Sequence, residues 1–586
     1  MVADNNLEPD ALKDLAEMAS VGSSAGLTIV VQADRSPEYS ADGALGLPDW
    51  TSTKRLLVNA GSLQEISDLG ELDATAPDAL ADFIEWGVKG HPAAHYMLVL
   101  WDHGGGYYGF GSDDTTGVGA LMSVPNIDAG VSAGLQRAGI SQFDVIGFDA
   151  CLMATLEVAE QLKGKAKYLL ASEETEPGHG WDYGALTGAA TLDAVTLSKK
   201  LIDGYAAQAQ TEGTAEAITL SLVDLAKLGP IEDAVTALAG HYGTTSAMAP
   251  IQAAVGQQRS KAVKFGNSPE QAFNLVDIGD LFGSLGTSLG TLATAIGTAA
   301  QDAVVYKVNG GGYTEATGLS IYFPPTPAEY KANLYDALAG MDSWRAFLGT
   351  YYATSTGAGA VVPDVASATM DPQADSVVVD ATLAAGALQA TTTAFLAYGM
   401  PLDGGHAFLL GDLPMQASNV AGEDHLMASW PYAVLHLTQS SPAHEEYGYL
   451  SIGTSGAATY VALIPFAYYP PGAAEGRSAF RQLVYNSTSI LSDIYYAASE
   501  AGAVGQLSPL PGSTLRALLC YLDDPTQWSG CQWTESGTGF DATQPILCDF
   551  PTLSSGAPFF LGLRVENAAG NGEWLTTDIN SPPVRP

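Results

Sequence analysis

The stretch FDVIGFDAC, residues Phe143–Cys151, decides the fold, because an apolar run ends there on an aspartate and a thiol. A second apolar run, YMLVLW at Tyr96–Trp101, ends just before His103, 48 residues upstream of Cys151. Short, nearly continuous apolar runs are typical of strands that are buried on both faces of a parallel sheet. Such sheets bind ligands at the carboxyl ends of their strands. The sequence therefore predicts a site that contains His103 and Cys151.

Helix and strand patterns alternate outward from this pair, over residues 1 to about 352. Helices are predicted at Glu8–Gly22, Pro77–Val88 and Leu152–Leu162, and further strands at Leu27–Val31 and Tyr168–Ala171. Apolar strands that alternate with amphipathic helices indicate an α/β fold, in which helices cover both faces of the sheet.

The pattern changes after about Tyr352. The small residues of STGAGAVVPD, Ser355–Asp364, are followed by short β-like runs separated by turn residues, such as Ser376–Val379, Phe408–Leu410, Tyr432–Leu437 and Tyr460–Phe466. This pattern is typical of β-sandwiches. We therefore predict an α/β domain over 1–352, a linker over 353–365 and a β-sandwich-like region of one or two small domains over 366–586.

Composition excludes some classes of protein. Asp and Glu number 64 and Lys and Arg only 23, for a net charge of -41. Neutralising nucleic-acid phosphates needs clustered basic side chains, so no nucleic-acid partner is predicted. No apolar run reaches the length of a membrane-spanning helix, and the first ten residues lack the features of a secretory signal. Three of the four cysteines (Cys520, Cys531 and Cys548) lie close together and allow one disulfide and one free thiol, which indicates an oxidising compartment.

Two catalytic patterns stand in the wrong context. GSSAG at Gly22–Gly26 matches a nucleophile elbow, but it follows a helix and precedes a strand, the reverse of what an elbow requires. Gly104, Gly106 and Gly109 match a dinucleotide-binding fingerprint, but a polar loop follows where that motif needs a helix. A hydrolase that uses Ser24 is therefore a remote alternative.

His103 and Cys151 fit nucleophilic catalysis better. A thiol attacks as its thiolate, which an adjacent imidazole and a helix N-terminus both favour, and the predicted helix places Cys151 at such a terminus. The glycines that follow His103 leave backbone N–H groups accessible for an oxyanion hole. The spacing of the pair is that of caspase-type nucleophiles. The alternative is a buried structural thiol at Cys151.

Several blocks of this sequence resemble the clostripain-type cysteine peptidases. They are ADNNLE at Ala3–Glu8, LWDHGGG at Leu100–Gly106, GFDACLM at Gly147–Met153, ASEE at Ala171–Glu174, EPG at Glu176–Gly178 and GLSIYFP at Gly318–Pro324. The resemblance covers about residues 1–352. It implies the fold of caspases and gingipains, a three-layer α/β sandwich around a mainly parallel sheet, and cleavage of peptide bonds, commonly after Arg or Lys.

The resemblance also implies roles for individual residues. Cys151 becomes the nucleophile and His103 the general acid and base, with the backbone amides of Gly104 and Cys151 as the oxyanion hole. Asp149 becomes the acid of the S1 pocket that pairs with a basic P1 side chain; its alternative is a strand-end cap.

Glu173 and His179 are two further candidates for the S1 pocket. Glu173, with its neighbour Glu174, lines the pocket rim or is only a solvated charge. His179 stands where some relatives are expected to carry a second acid, which weakens the case for strict Arg or Lys specificity.

The chemistry of a Cys/His pair needs no cofactor, but the resemblance implies calcium. Asp113 with Asp114, or Glu173 with Glu176, offer the oxygen ligands that calcium prefers. Polypeptides are the expected partners, and the sequence leaves the oligomeric state open.

The family's first apolar strand is shortened here to Met1-Val2, so the chain is expected to be trimmed at its start. A secreted or cell-envelope location is predicted from the resemblance and the C-terminal cysteines. Between His103 and Arg137 the sequence has no Lys or Arg, so no self-cleavage after a basic residue is expected there. The rival function is a catalytically idle binding or adhesion protein on a peptidase scaffold.

Overall fold

A computed structural model describes residues 1–116, 121–270, 272–357, 360–455, 459–499, 502–528 and 530–586 of the chain. Helices and strands mix up to residue 356. The strands of this part are β1 (Val2–Ala3), β2 (Val30–Arg35), β3 (Lys54–Asn59), β4 (Ser62–Asp68), β5 (Met97–Trp101), β6 (Phe143–Asp149), β7 (Ala166–Ala171), β8 (Thr219–Asp224), β9 (Lys264–Asn267), β10 (Ala272–Asp277), β11 (Val304–Asn309) and β12 (Ser320–Tyr322). The helices are α1 (Glu8–Val21), α2 (Pro77–Gly90), α3 (Val124–Ala138), α4 (Leu156–Leu162), α5 (Ala194–Glu212), α6 (Leu228–His241), α7 (Thr245–Met248), α8 (Gln252–Lys261), α9 (Ile278–Ser284), α10 (Gly286–Leu289), α11 (Thr291–Ala303), α12 (Ala332–Tyr335) and α13 (Asp342–Thr356).

The central sheet has the strand order β11-β8-β7-β6-β5. Strands β5, β6 and β7 are parallel, whereas β8 and β11 are antiparallel to their neighbours. The sheet is therefore mixed, with its parallel half on the side that carries the predicted site. Strands β1 to β4 form a second sheet, and β12, β10 and β9 a third.

Alternate residues of the central strands pack against two different layers. Val145 and Leu170 pack with Leu15 of α1 and Leu201 of α5 on one face. Ile146 and Leu169 belong to a larger core on the other face, which includes residues of α2, α3, α6 and α11. The period of two along each strand gives both faces an apolar surface to cover. The predicted α/β sandwich is thus confirmed.

Local boundaries differ from the prediction at two places. The second strand runs over Val30–Arg35 instead of Leu27–Val31, because Leu27 turns back to pair with Ser24. The helix after the thiol begins at Leu156 instead of Leu152. Within the described ranges, no helix is long and apolar enough to span a membrane.

The region after α13 is built from strands. They are β13 (Val365–Pro372), β14 (Val377–Leu383), β15 (Thr393–Pro401), β16 (Ala407–Pro414), β17 (Gln416–Val420), β18 (Glu423–Trp430), β19 (His436–Ser440), β20 (Ala443–Tyr447), β21 (Leu450–Ser455), β22 (Thr459–Tyr469), β23 (Arg477–Tyr485), β24 (Ile490–Ala498), β25 (Val504–Gln506), β26 (Thr514–Leu522), β27 (Gln532–Glu535), β28 (Phe540–Asp541), β29 (Leu547–Asp549), β30 (Phe560–Glu566) and β31 (Gly572–Thr576). The predicted β-rich region is confirmed, while the predicted linker includes residues 358 and 359, which lie outside the described residues.

The β-rich region shares apolar core with the α/β part. Phe480, Tyr496 and Val504 are buried in the same cluster as Ile146 of β6. Cys520 and Cys531 form a disulfide and Cys548 is a free thiol, as the sequence allowed. The strands β22 to β25 therefore lie directly against the part of the molecule that carries the predicted site.

Candidate active site

The parallel pairing of β5 and β6 brings His103 and Cys151 to the same edge of the sheet. Trp101 stands opposite Asp149 in the register, and the Asp102 N–H donates to the Asp149 carbonyl over 3.3 Å. His103 and Cys151 each follow two residues after this pair, so their backbones leave the sheet side by side. His103 is 0% exposed and Cys151 3% exposed.

Cys151 does not lie at a helix N-terminus, which corrects the sequence prediction. Helix α4 begins at Leu156 and is capped by the Thr155 hydroxyl, which accepts from the Val158 N–H over 3.2 Å. The intervening residues are instead tied to the segment 172–174, which follows β7, since Leu152 N–H donates to the Glu174 carbonyl over 3.1 Å. Burial raises the pKa of the Cys151 thiol well above its ordinary value, and the Glu176 N–H, which donates to Sγ over 3.2 Å, offsets only part of that rise.

The imidazole of His103 is oriented by Asn6. Nε2 and the Asn6 Oδ1 atom lie 3.0 Å apart, so Nε2 carries the proton in the neutral ring and Nδ1 has the free lone pair. Nδ1 has no hydrogen-bond partner among the described residues. Burial lowers the pKa of His103 to about 4, which keeps the ring neutral and makes it a weaker base than an exposed imidazole. Asn6 was missed as a site residue, although it lies in the ADNNLE block.

Gly104 has no room for a side chain. A Cβ atom there would lie 1.9 Å from the Cys151 carbonyl oxygen and 3.0 Å from the Cys151 nitrogen. The backbone amides of Gly104 and Cys151 are thus neighbours, and two adjacent N–H groups are what an oxyanion hole needs.

Asp149 lies in a buried group of three carboxylates. Its Oδ2 atom accepts from the Tyr183 hydroxyl over 2.8 Å and from the Trp181 N–H over 3.3 Å. Asp14 and Glu176 are the other two members, and they are 1% and 5% exposed. Burial raises the pKa of Asp149 to about 6, despite these two hydrogen bonds.

Each of the other two carboxyl groups is perturbed by Asp149. Burial first, and then the charge of Asp149, raise the pKa values of Asp14 and Glu176 well above their ordinary values. The Trp101 indole donates to Asp14 over 2.5 Å, whereas both oxygens of Glu176 lack a hydrogen-bond partner among the described residues. Sequence reasoning missed Asp14 as a site residue and assigned Glu176 only as a calcium ligand. The distances along the sequence from Asp14 and Glu176 to Asp149 do not reveal this group, because only the fold brings the three residues together.

Glu173 and His179 lie in other surroundings. Glu173 accepts from the Gly318 N–H over 2.9 Å, and its pKa is raised by burial and by Asp277. His179 contacts Thr214 through Nε2 over 2.9 Å and the Gly180 carbonyl through Nδ1 over 2.8 Å. Neither side chain lines the small pocket beside Asp149, whose walls include Asp149, Cys151, Glu176, Gly178, Gly180, Gly505 and Gln506.

Strand β25 of the β-rich region covers the pair. Gly104 and Val504 exchange both backbone hydrogen bonds, with N–O distances of 3.2 and 2.9 Å. Gly505 lies against the imidazole, since a Cβ atom on it would be 2.4 Å from His103 Nδ1. The side chain of Gln506 accepts from the Gly178 N–H over 2.6 Å. Only about 30 Å³ of free space remains in the pocket beside Asp149.

A second acidic group includes Asp113, from the loop that follows His103. The side chains of Asp4, Asp34, Glu71 and Asp113 offer ligand atoms within 4.8 Å of one another. Both oxygens of Asp4 and one of Asp34 are buried and lack a hydrogen-bond partner among the residues that the structure describes. Burial, and then Asp113, Glu71 and Asp4, raise the pKa of Asp34 to about 8, partly offset by the Thr53 hydroxyl.

The predicted calcium ligands thus separate. Asp113 belongs to this acidic group, while Asp114 accepts from the Tyr39 hydroxyl over 2.6 Å. Glu173 and Glu176 have different neighbours, Asp277 for the first and Asp149 for the second. The larger described cavity, about 570 Å³ between β2 and β5, contains none of the predicted site residues.

Comparison with known proteins decides the family of this chain. Residues 1–351 match the clostripain family. The chain belongs to the clostripain family. The curated clostripain of Hathewaya histolytica is 30% identical over 206 residues, which cover 31% of this chain and 39% of that protein. The match therefore spans well under half the length of that curated relative.

Two solved structures have similar chains. One is a secreted C11 cysteine protease from Bacteroides thetaiotaomicron bound to an irreversible peptide inhibitor, with 17% identity and a TM-score of 0.46 over 59% of this chain and 98% of that chain. The other is an inactive zymogen C11 protease from Parabacteroides distasonis, with 21% identity and a TM-score of 0.45 over 58% and 95%. The clostripain-family match ends at residue 351, before the β-rich region that supplies strand β25.

Proposed function

We propose that this protein is a cysteine endopeptidase in which Cys151 is the nucleophile and His103 the general acid and base. The observation that carries the proposal is the joint placement of a thiol, a neutral imidazole and two backbone N–H groups at one sheet edge. An adhesion or binding surface has no physical need for that combination.

His103 carries out the proton transfers, and Cys151 forms the covalent bond. Nδ1 of His103 takes the proton of the thiol, and the resulting Sγ thiolate attacks the carbonyl carbon of the scissile bond. The N–H groups of Gly104 and Cys151 donate to the oxygen that becomes negative. The imidazolium then protonates the leaving amine, and water hydrolyses the thioester with His103 as the base.

Asp149, Asp14 and Glu176 support a preference for Arg or Lys at P1. Burial raises the pKa values of all three groups, and the charge of Asp149 raises those of Asp14 and Glu176 further. A guanidinium or ammonium group opposes both effects and provides donors for the two oxygens of Glu176 that lack partners. The same group stabilises the ionised form of all three acids.

A panel of fluorogenic peptides that differ only at P1 tests this proposal. Wild type and a Gly505→Ala variant that displaces β25 are compared with Cys151→Ala and His103→Ala in each background. Turnover should be confined to Arg and Lys, and should be lost with either catalytic substitution. Turnover of neutral P1 alone would refute the role of the carboxylates, and no turnover in any background would favour the idle binding protein.

We also propose that a divalent cation, with calcium as the expected ion, binds between Asp4, Asp34, Glu71 and Asp113. The carboxylates come from four separate segments, and the unpartnered oxygens of Asp4 and Asp34 have the hard character that calcium prefers. An ion there would tie the loop that follows His103 to the segment that carries Asn6. The peptide chemistry itself needs no metal.

The melting temperature of metal-free protein measures this binding without reference to activity. Calcium should raise it in a saturable way in wild type and in Asp78→Asn, a control that removes an exposed acid. The rise should vanish in Asp34→Asn. Equal rises in all three proteins would show that the ion binds elsewhere.

A secreted or cell-envelope location is part of the proposal. Its support is the disulfide Cys520–Cys531, since such bonds persist in oxidising compartments. Cell fractionation with an antibody against the protein tests it, and a cytosolic pool with both thiols reduced would contradict it.

A further inference from the structure

Strand β25 fills the place where a polypeptide substrate has to bind. The Val504 carbonyl accepts from Gly104 N–H, the donor that the proposed mechanism assigns to the oxyanion. Gly505 closes the space in front of His103 Nδ1, and Gln506 occupies the wall of the pocket beside Asp149. The proposed oxyanion donor, the imidazole and one wall of the pocket beside Asp149 are therefore already in contact with β25.

The strand is held in place by the β-rich region and by the rim of the site. It pairs with β24 in a hairpin, with Ala497 opposite Gly505. Beyond the strand, the Ser508 hydroxyl donates to Asp10 over 3.2 Å. The contacts are hydrogen bonds and close packing, so the segment can leave without breaking a covalent bond.

The order of residues in β25 is wrong for cleavage. In a substrate, the residue whose side chain enters S1 also supplies the carbonyl that the oxyanion hole holds. Here Gly104 holds the carbonyl of Val504, whereas the residue that lines the pocket beside Asp149 is Gln506, two residues later. Gln506 is also uncharged, and therefore a poor match for three carboxylates.

We propose that β25 (Val504–Gln506) is a built-in, non-cleavable inhibitory strand, and that the enzyme works only when the β24–β25 hairpin moves off the site. This inference rests on the proposed peptidase function for its purpose, but not for its test. Accessibility of the Cys151 thiol reports the position of the strand without any catalysis.

Alkylation by iodoacetamide, read for each cysteine by mass spectrometry, tests the inference. Cys548 is a half-buried free thiol in the β-rich region and serves as the internal control. In wild type, Cys151 should react more slowly than Cys548. Gly505→Ala should raise the Cys151 rate by about 5- to 100-fold, because overpacking against His103 favours the open form. Gly349→Ala, at a position with open space, should leave the rate unchanged.

Gln506→Ala provides a second variant that introduces no clash. It removes the hydrogen bond to Gly178 and should raise the Cys151 rate about fivefold. If Gly505→Ala alters the Cys548 alkylation rate or the circular dichroism spectrum, that variant is misfolded. The Cys151 rate in Gln506→Ala then decides whether the inference holds. Unchanged Cys151 rates in the folded variants would overturn the inference.

Peptide hydrolysis separates failure of the inference from failure of the proposed function. A faster Cys151 reaction with faster hydrolysis supports both. A faster alkylation of Cys151 without peptide hydrolysis supports the conclusion that β25 covers the site and refutes the proposed peptidase function. Full wild-type hydrolysis, unaffected by either variant, keeps the peptidase and refutes the inhibitory strand. The intact mass should show no cut between Val504 and Gln506 after prolonged incubation. Such a cut would refute the inference that the order of residues in β25 prevents cleavage.

Discussion

Replacing Asp149 with asparagine should weaken catalysis and strengthen the fold at once. The buried carboxyl group has a pKa of about 6 in the folded protein, against an ordinary value of 3.8. A carboxyl group whose pKa is raised in the folded state lowers the free energy of unfolding. This loss is absent at pH values below the ordinary pKa and reaches its full size at pH values above the raised pKa. At pH 8 this loss is about 3 kcal/mol, and at pH 5 about half as much.

The asparagine should keep the local hydrogen bonds. Tyr183 and Trp181 both donate to the same oxygen of Asp149, so one amide oxygen can accept from both. The gain from removing the charge therefore appears nearly in full. We expect the melting temperature of the folded protein to rise by about 2 to 3 °C at pH 8, and by about half of that at pH 5.

The same substitution removes one of the three charges that would meet a basic P1 side chain. The kcat/KM for an Arg substrate should fall about 10- to 100-fold, while Asp14 and Glu176 retain part of the preference. The matched substrate carries citrulline, which has the shape of Arg without its charge, and its turnover should stay nearly the same. A lower melting temperature at pH 8, or an equal loss for Arg and citrulline, would refute the reasoning.

Three other predictions concern the histidine, its partner and the disulfide. Gly505→Ala hydrates His103 and should move its pKa upward from about 4, which NMR of labelled histidine detects; an unchanged titration would contradict this. Asn6→Ala should lower kcat about 10- to 100-fold with little change in KM, and Asn6→Gln should restore part of it; a change in KM alone would argue against positioning. Replacing Cys520 and Cys531 with alanine should destabilise the β-rich region by about 3 kcal/mol in a denaturant titration, because the bond restricts the unfolded chain; an unchanged free energy of unfolding would refute this stabilising role.

The sequence predicted the part of the fold that depends on local pattern. The apolar runs that became β5, β6 and β7 have no competing interpretation, since each is short, apolar and bounded by turn residues. Helix α4 was extended too far because Leu152 and Met153 are good helix formers. Tertiary hydrogen bonds from Leu152 and Ala154 to the segment 172–174 override that propensity.

The site was predictable only where its residues follow strand ends. His103, Cys151 and Asp149 lie at such positions, and the parallel register makes them neighbours. Asp14 comes from the interior of α1, and Gln506 from a strand more than 300 residues after Cys151. No spacing along the chain encodes contacts of that kind, because they depend on how whole layers pack.

Covalent probes that target the nucleophile are a common means of counting active peptidase molecules in a sample. Because Val504 and Gly505 stand over Gly104 and His103, such a probe reacts only with molecules whose hairpin is displaced at that moment. Short labelling therefore reports the open fraction, and only labelling to completion reports the amount of protein. The ratio of the two gives the open fraction f in an unmodified sample, without purification or mutagenesis, and f/(1 − f) is the equilibrium constant for opening.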